Sequence, residues 1–274
     1  MNKLFNVLDQ LKTKLDSFRP LPPAVVSNLH ESLVLQWTYH SNAIEGNTLT
    51  LKETKVALEG ITIGGKTLRE HFEVINHREA IFMVEDLVRQ NEPLSEWQIK
   101  ALHQLVLKNI DADNAGTYRT INILISGATH TPPQALQVPQ QMQDFINWYQ
   151  HEAHTLHPIE RAARVHGELV KIHPFVDGNG RTARLLMNLE LMKAGFPATL
   201  IQVEQRLAYY EALDHAHCTE DYQAFIELLA QSSVQSFKQY WWALGIEAEM
   251  TNYLQSLSYE YAGANAVKQA PQGD

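Results

Sequence analysis

A glycine-rich connection at residues 173–184 constrains the fold of this chain more than any other feature, and its sequence is HPFVDGNGRTAR. Apolar residues recur at helical spacing on both sides of it, at 159–170 upstream and at 185–192 downstream. Gly195 and Pro197 then end the downstream pattern. The connection therefore joins the end of one amphipathic helix to the start of another, and the pair predicts a mainly helical core around it.

The start of the second helix has the features of an anion-binding site. Backbone N–H groups at a helix N-terminus lack intrahelical acceptors, and the helix dipole favours negative charge there. Gly178 and Gly180 flank Asn179 at this point, and glycine lets a phosphate approach the backbone closely. Arg181 and Arg184 lie three residues apart, so both side chains fall on one face of the first turns. We expect both guanidinium groups to reach anionic oxygens.

Two further side chains in the connection suit a phosphate substrate. Asp177 is a hard oxygen ligand of the kind that Mg²⁺ takes beside phosphates. His173 can accept a proton near neutral pH. A base, a metal ligand, an anion cradle and two arginines are the parts of a phosphoryl- or nucleotidyl-transfer site.

The connection also resembles the catalytic motif of the Fic family, HxFx(D/E)GNGRxxR. The matching residues are His173, Phe175, Asp177, Gly178, Asn179, Gly180, Arg181 and Arg184. The resemblance implies an all-α core and transfer of AMP from ATP to a hydroxyl side chain of a protein, with His173 as the catalytic base. It also implies an ATP site that holds Mg²⁺ on Asp177. The residues of that site would be Asp177, Gly178, Asn179, Gly180, Arg181, Thr182, Ala183 and Arg184.

A second, shorter match lies upstream, at the end of a helix predicted for residues 25–44. Ser41, Glu45 and Gly46 fit the Fic inhibitory motif (S/T)xxxE(G/N). Glu45 lies at a helix C-terminus, where an anion is unfavourable unless a cation offsets it. The resemblance implies that this cation is Arg184, that the two side chains form a bidentate pair, and that the pairing inhibits the enzyme.

Residues 121–133 interrupt the helical pattern. Isoleucines alternate with other residues from 121 to 125, Gly127 offers a turn and two prolines end the segment, so we predict a short β-hairpin. Its position resembles that of the Fic flap, which holds the target in extended form beside the α-phosphate. An exposed hairpin edge offers N–H and C=O groups to an incoming strand. The residues expected to line the site are Ile125, Ser126, Gly127, Thr129 and His130.

The resemblance implies an adenine pocket as well. In the family, an aromatic side chain from the region after the motif helix enters this pocket, and Tyr209 matches it by spacing. His217 is a further candidate for the border of the pocket. Tyrosines at helical spacing are also common in protein cores, so the sequence leaves a core position for Tyr209 open.

Apolar periodicity, capping boxes and prolines predict further helices. They fall at residues 3–18, 25–44, 50–60, 67–90, 95–107, after Pro139, after Pro158, at 204–217 and 221–247, with a short one to about Tyr259. The predicted fold class is all-α, with a Fic-type helical core, a small hairpin flap and an N-terminal helical extension. The predicted divisions are an N-terminal region carrying the inhibitory helix (1–65), a Fic core (66–250) and a short C-terminal tail (251–274).

Composition narrows the function classes. The 274 residues carry a net charge of −9, which argues against a nucleic-acid partner. Cys218 is the only cysteine, so no intramolecular disulfide can form, which fits a reducing cytoplasm. The sequence has no apolar run of 18 residues and no apolar N-terminal segment. We therefore expect a cytoplasmic protein without a membrane span. The oligomeric state stays open, a homodimer included.

Three hypotheses remain at this stage. The favoured one is a protein adenylyltransferase that modifies a Ser, Thr or Tyr hydroxyl of another protein or of itself. A de-adenylylating hydrolase could use the same site, with Glu45 placing a water. A non-catalytic regulatory module is disfavoured by the intact His173 and Asp177. Kinase-like relatives depart from the GNGR sequence that this chain keeps.

Overall fold

The computed structural model describes residues 2–255, and their regular structure is helical throughout. The helices are α1 (Asn2–Asp16), α2 (Pro23–Ile44), α3 (Leu51–Leu58), α4 (Leu68–Gln90), α5 (Glu96–Val106), α6 (Val138–His151), α7 (Pro158–Ile172), α8 (Asn179–Lys193), α9 (Arg206–Thr219) and α10 (Gln223–Ala243). Residues 247–255 are helical as well. The all-α prediction is confirmed. Of the predicted tail, residues 256–274 lie outside the described part of the chain.

Local sequence signals set several of the helix starts. Side-chain oxygens of Thr50, Thr67 and Ser95 each accept a hydrogen bond from the backbone N–H three residues on. In turn, the backbone N–H of each capping residue donates to a side-chain oxygen three residues on, of Glu53, Glu70 or Gln98. These reciprocal bonds complete three capping boxes. Pro22 lies just before a helix, and Pro23, Pro139 and Pro158 lie in the first turn of one, where the missing N–H costs nothing.

Helix α8 is the central element of the fold. It is buried along nearly its whole length, from Asn179 to Leu191. One apolar core lies mainly between α7, α8 and the helices α1, α9 and α10. A second lies between α7, α8 and the helices α2, α4, α5 and α6. The two cores enclose α8 although it also carries buried polar side chains, among them Arg181, Arg184 and Asn188. The motif at the start of α8 is therefore held from both sides.

The β-hairpin predicted at residues 121–133 does not form as paired strands. A turn closes from the Ile125 carbonyl to the Ala128 N–H, but no strand is present among the described residues. The buried guanidinium of Arg119 lies between the two arms and donates to the carbonyls of Ile121 (2.9 Å) and Pro133 (2.5 Å). These bonds replace the ladder that the alternating sequence predicts.

Within the part of the chain that is described, no helix is both long and apolar enough to span a membrane. The proposed divisions at residues 65 and 250 stay predictions. Helix α1 buries Leu8, Leu11 and Leu15 in the same core as α10, so the N-terminal helix is packed against the body of the protein.

Candidate active site

The candidate catalytic loop begins where α7 ends, at His173. This residue is the C-cap of α7 and adopts a left-handed backbone conformation with φ 50°. Its N–H still donates to the Leu169 carbonyl at 2.9 Å. Left-handed conformations are uncommon outside glycine, asparagine and aspartate, and they persist only where the surroundings fix them. Gly178 repeats this conformation at φ 77° and lets the chain turn into α8.

Three side chains hold the loop between these two turns. The Asn179 amide pairs with the backbone of Phe175, accepting from its N–H and donating to its C=O, both at 2.9 Å. The Phe175 ring is fully buried and stacks on His103 with centroids 3.6 Å apart. Arg119 donates from Nε to the His173 carbonyl at 2.8 Å. The loop conformation is thus determined by buried contacts, and the Asn179 amide is used inside the loop.

His173 is neutral at physiological pH. Burial lowers the pKa of His173 to about 4, and the nearby Arg119 guanidinium acts in the same direction, against the Val170 carbonyl and the carboxylates of Glu45 and Asp177. A neutral imidazole can accept a proton, which a general base must do.

Asp177 lies in a ring of alternating charges. Its Oδ1 accepts from the Gly178 N–H (2.6 Å) and from Arg181 Nη2 (3.2 Å), and its Oδ2 accepts from Arg69 Nη2 (2.5 Å). Glu73 closes the ring with contacts to Arg69 (3.1 Å) and Arg181 (3.5 Å). Burial alone would raise the pKa of Asp177, but Arg181, the Gly178 N–H and Arg69 lower it overall. An ionised, half-exposed carboxylate of this kind fits a divalent cation.

The first turn of α8 has the geometry of an anion cradle. The first N–H bonded within the helix is that of Thr182, at 3.0 Å from the Gly178 carbonyl, so the N–H groups of 179–181 have no intrahelical acceptor. Arg181 is buried, and its Nε makes no hydrogen bond within the described residues. Unpaired buried donors at a helix N-terminus fit an anionic ligand.

Arg184, one turn further along α8, contacts the end of α2. Its Nη2 donates to Glu45 Oε1 and to the Ser41 carbonyl, both at 2.7 Å, and its Nε donates to Ser41 Oγ at 3.0 Å. The contact with Glu45 is a single hydrogen bond, where a bidentate pair was predicted. The Glu45 carboxylate lies directly over Gly180, because a Cβ built there would be 2.2 Å from Oε1. Gly46 has φ 99° and turns the chain away after α2.

Tyr209 and Tyr210 differ in exposure. Tyr209 is 1% exposed and packs in the core, with its hydroxyl 3.1 Å from Arg184 Nη1 and 2.9 Å from His166 Nε2. Tyr210 is 39% exposed and donates to the Ile44 carbonyl at 3.0 Å. The adenine contact of Tyr209 stays a prediction, since its ring has almost no accessible surface in this structure.

The flap segment is attached to α9 and α7. The N–H groups of Thr129 and His130 donate to the Asp214 carboxylate at 2.9–3.0 Å. The His130 ring bonds to the Lys171 carbonyl at 3.0 Å and lies 5.2 Å from the ring of His217. The remaining predicted flap residues, Ile125, Ser126 and Gly127, form the turn at its tip, with Gly127 at φ 82°.

Comparison with known proteins agrees with this geometry. Residues 93–191 match the Fic/DOC family. The protein adenylyltransferase fic-1 of Caenorhabditis elegans is 41% identical over 208 residues, which are 74% of this chain and 40% of that protein. The solved structure of Fic-1 residues 134–508 from C. elegans has a TM-score of 0.81 at 35% identity, over 89% of this chain and 72% of that one. The chain belongs to the Fic/DOC family.

Two other Fic proteins extend the comparison. A Fic domain-containing signaling protein from Bacteroides thetaiotaomicron has a TM-score of 0.80 at 31% identity, over 87% of this chain and 97% of that one. The protein adenylyltransferase Fic of Nematostella vectensis is 38% identical over 85% of this chain and 55% of its own length. The chain thus spans 40–55% of the length of these two curated relatives.

Several residues of the Fic site were missed by sequence reasoning. They are Arg69, Glu73, His103, Arg119 and Asp214. Each contacts a residue of the 173–184 loop or of the flap that lies more than 50 positions away in sequence, and none belongs to a local motif. Arg69 and Glu73 carry a weak signal, because they lie four residues apart on one face of α4. The others became recognisable only once the fold placed them beside the loop.

Proposed function

We propose that this chain is a protein adenylyltransferase that transfers AMP from ATP to a Ser, Thr or Tyr hydroxyl. The observation that supports this most directly is a neutral His173 fixed beside the anion cradle of α8, with Arg181 and Arg184 on the same helix face. The relatives from C. elegans and Nematostella are protein adenylyltransferases, which supports the same reaction.

In the proposed reaction, His173 removes the proton from the target hydroxyl. The hydroxyl oxygen forms a bond to the α-phosphorus as the bond to the β-phosphate oxygen breaks, and pyrophosphate leaves. The chain contributes a correctly held base and fixed N–H donors toward developing negative charge, so positioning and electrostatic stabilisation carry the catalysis. Because the Asn179 amide is paired with Phe175, we assign its contribution to the backbone N–H.

In this proposal, the first turns of α8 bind the phosphates. The donors are the N–H groups at Gly180 and its neighbours, the Nε of Arg181 and the guanidinium of Arg184; within residues 2–255 the first two kinds have no hydrogen-bond acceptor. Asp177 is the residue that would hold Mg²⁺, which when bound neutralises charge on the phosphate oxygens. In the structure, Arg69 forms an ion pair with the Asp177 carboxylate. Because the Arg69 side chain is 57% exposed, a cation that binds Asp177 can displace it into solvent.

We further propose that Glu45 inhibits the enzyme from the end of α2. Its carboxylate engages Arg184 at 2.7 Å and covers Gly180, the place where a phosphate would approach the helix. A displaced phosphate chain would misalign the α-phosphorus with the target hydroxyl. In this proposal the N-terminal region, residues 1–65, acts as a regulatory extension of the core.

The partner that fits the site is a protein segment with a hydroxyl side chain, on another protein or on this one. The flap tip, Ile125–Gly127, is held at its base by Arg119 and Asp214, and Leu124 beside it is 82% exposed. An extended segment of the target would lie along this tip with its hydroxyl toward His173.

Removal of AMP from a modified protein is a second candidate. The Glu45 side chain is partly exposed, and only Oε1 bonds to Arg184, so Oε2 could orient a water. This hydrolysis would use the same loop with the water as nucleophile, and Glu45 would then be required for activity instead of opposing it.

Intact-mass spectrometry after incubation with ATP and Mg²⁺ tests the proposal. We expect the protein, or an added candidate target, to gain the mass of one AMP, and the gain to be larger with the Glu45→Gly variant. A gain of one phosphate would mean a kinase. No gain with either form, together with release of AMP from a pre-modified target, would favour the hydrolase.

A further inference from the structure

The hydrogen bonds of Arg184 divide between two helices. Three of them go to α2, from Nε and Nη2 to Ser41 and Glu45. The fourth goes from Nη1 to the Tyr209 hydroxyl on α9, at 3.1 Å. If Glu45 leaves, Nε and Nη2 keep their bonds to Ser41, and Tyr209 is the one described partner that orients Nη1.

The direction of the bonds behind Tyr209 can be deduced. Arginine has no acceptor, so Tyr209 Oη must accept from Nη1. The Tyr209 proton is then available to His166 Nε2, which lies 2.9 Å away. If Nε2 carried a proton instead, the Tyr209 proton and His166 Nδ1 would both be left unpaired, since Nδ1 has no partner among the described residues. Two buried unpaired groups cost more than one, so Tyr209 donates to an unprotonated Nε2.

The surroundings of His166 are consistent with this arrangement. The ring extends from α7 and is fully buried against Tyr209 of α9 and Phe225 of α10. Burial, and then the positive charge of Arg184, hold the pKa of His166 well below its usual value. The imidazole is therefore neutral and can serve as a hydrogen-bond acceptor.

We propose that Tyr209 and His166 are positioning residues, which hold the Arg184 guanidinium in the orientation that receives the terminal phosphates of ATP once Glu45 has left. This role rests on the proposed function of Arg184 as a phosphate ligand. It assigns to Tyr209 a task through its hydroxyl, separate from any contact of its ring with adenine. His166 acts indirectly, by fixing the direction of the Tyr209 hydroxyl.

The hydrogen-bond chain itself can be tested without nucleotide. ¹⁵N NMR of histidine-labelled protein at pH 7 should show His166 with Nδ1 protonated and Nε2 unprotonated, in both the wild type and Glu45→Gly. Tyr209→Phe should shift the Nε2 resonance, because it removes the donor. A protonated Nε2 in the wild type would overturn the positioning role, whatever the protein does with ATP.

The functional consequence is tested by comparing ATP with AMP in the Glu45→Gly background, where α2 no longer holds Arg184 through the carboxylate. A hydrogen bond to a charged group is worth enough that Tyr209→Phe should weaken ATP binding about ten-fold or more. AMP has no terminal phosphates, so its dissociation constant should stay unchanged. An equal loss for both nucleotides, or no loss for either, would overturn the inference. If Glu45→Gly binds ATP no better than AMP, the phosphate role of Arg184 fails, and with it the proposed ATP site.

Two matched comparisons separate positioning from packing. His166→Leu removes the acceptor and should reproduce part of the ATP-selective loss, whereas His166→Gln keeps an acceptor and should restore it. Tyr149→Phe serves as the control, since Tyr149 also donates from a partly buried hydroxyl to a charged group, Glu190, but at the far end of α8. It should leave the ratio of ATP to AMP affinity unchanged. If Tyr149→Phe lost as much ATP affinity relative to AMP as Tyr209→Phe, the effect of Tyr209→Phe would be general destabilisation. That result would overturn the inference.

Discussion

At the scale of single residues, His173 combines a fixed backbone conformation with a lowered side-chain pKa. Its backbone is held in a left-handed conformation, which turns the side chain out of α7 at a fixed point. Its burial holds the pKa at about 4, so the imidazole stays neutral well below pH 6.5. A histidine with this pKa is unprotonated over the whole physiological pH range, but it is a weaker base than an exposed histidine.

We predict that His173→Ala removes AMP transfer while leaving the fold intact. Loss of a positioned base costs about 10²–10⁴ in rate. Transfer of label from α-labelled ATP, with circular dichroism as the check on folding, measures this. For the wild type, the rate should show no fall between pH 8 and pH 6 that is due to His173, because its pKa lies below that range. Undiminished labelling by folded His173→Ala would exclude the assigned role.

The ion pair between Arg69 and Asp177 leads to a prediction about Mg²⁺. Arg69→Ala should lower the Mg²⁺ concentration needed for half-maximal ATP binding by about two- to five-fold, since an exposed ion pair is worth about 0.2–1 kcal/mol. Calorimetric titration of ATP binding at several Mg²⁺ concentrations measures this. Arg89→Ala is the control, because Arg89 pairs with Asp86 at the far end of α4. Asp177→Ala should abolish the Mg²⁺ response, and an unaltered response would leave Asp177 with only a structural role.

The proposed inhibitory role of Glu45 predicts an activated variant. Glu45→Gly should raise AMP transfer on the order of 10²-fold, since misplacement of about 1 Å can cost that much. Glu45→Asp should activate partly, because its side chain is shorter. Glu59→Gly is the control, since Glu59 caps the end of α3 as Glu45 caps α2 but makes no contact with Arg184.

Adding Arg184→Ala to Glu45→Gly should lower transfer again, because a phosphate donor is lost. Labelling at saturating ATP and Mg²⁺ measures all of these variants. Equal rates for the wild type and Glu45→Gly would mean that the contact seen at 2.7 Å does not inhibit.

At the scale of elements, the flap depends on α9 through Asp214. We predict that Asp214→Ala loosens the segment 125–130 and slows transfer to a protein target several-fold more than it weakens ATP binding. The reason is that three N–H contacts from Thr129 and His130 converge on this carboxylate. Hydrogen exchange of these two amides reports the loosening directly. Asp144→Ala, which removes an exposed carboxylate of α6, is the matched control. Unchanged exchange in Asp214→Ala would show that the flap is held elsewhere.

Sequence reasoning predicted the helices well, because their signals are local. Capping boxes, prolines and apolar periodicity lie within a few residues of the structure that they specify, as at Thr67 and Pro158. The hairpin prediction was wrong because the contact that prevents strand pairing is not part of the alternating pattern. Alternation at 121–125 indicates an extended chain, but strand pairing needs free carbonyls, and Arg119 takes those of Ile121 and Pro133. Arg119 lies close to these carbonyls in sequence, but its type and spacing do not indicate that its guanidinium is buried between the two arms.

The same distinction applies to the site. The segment from His173 to Arg184 could be identified from the sequence as one motif. Arg69 and Asp214 could not, because they contact Asp177 and Thr129 from positions distant in sequence. The pairing of Glu45 with Arg184 was inferred from resemblance and could not have been derived from spacing. The buried link from Arg184 through Tyr209 to His166 needed coordinates, because the sequence leaves open which face of a tyrosine-bearing helix is enclosed.

At the scale of the whole molecule, the two cores around α7 and α8 enclose a set of neutral histidines. The pKa values of His103, His173 and His217 are lowered to about 4, and those of His77 and His166 lie well below the usual value, in each case first because of burial. Each of these groups binds a proton more readily in the unfolded chain than in the folded one. Their shared effect is a protein whose stability depends on pH.

We predict that the free energy of unfolding is greatest above about pH 6.5 and falls as the pH drops toward 4. Each buried histidine contributes at most about 1.4 kcal/mol per pH unit in that window. Thermal unfolding at pH 7.5 and pH 5.0 measures the loss. His77→Leu should reduce this loss, because both ring nitrogens of His77 are buried without a partner among the described residues. The exposed His151, changed to Leu, is the control. An equal loss in His77→Leu and the wild type would contradict the assignment.

The close approach of Glu45 to Gly180 has a consequence for how activated forms of this protein could arise. A Cβ at position 180 would lie 2.2 Å from Oε1, so a side chain there would fill the place that the carboxylate holds and that the proposed phosphate would take. Any side chain at this position would displace both occupants together. Hyperactive alleles from a random mutagenesis screen should therefore cluster at the end of α2, and position 180 should yield only loss of function.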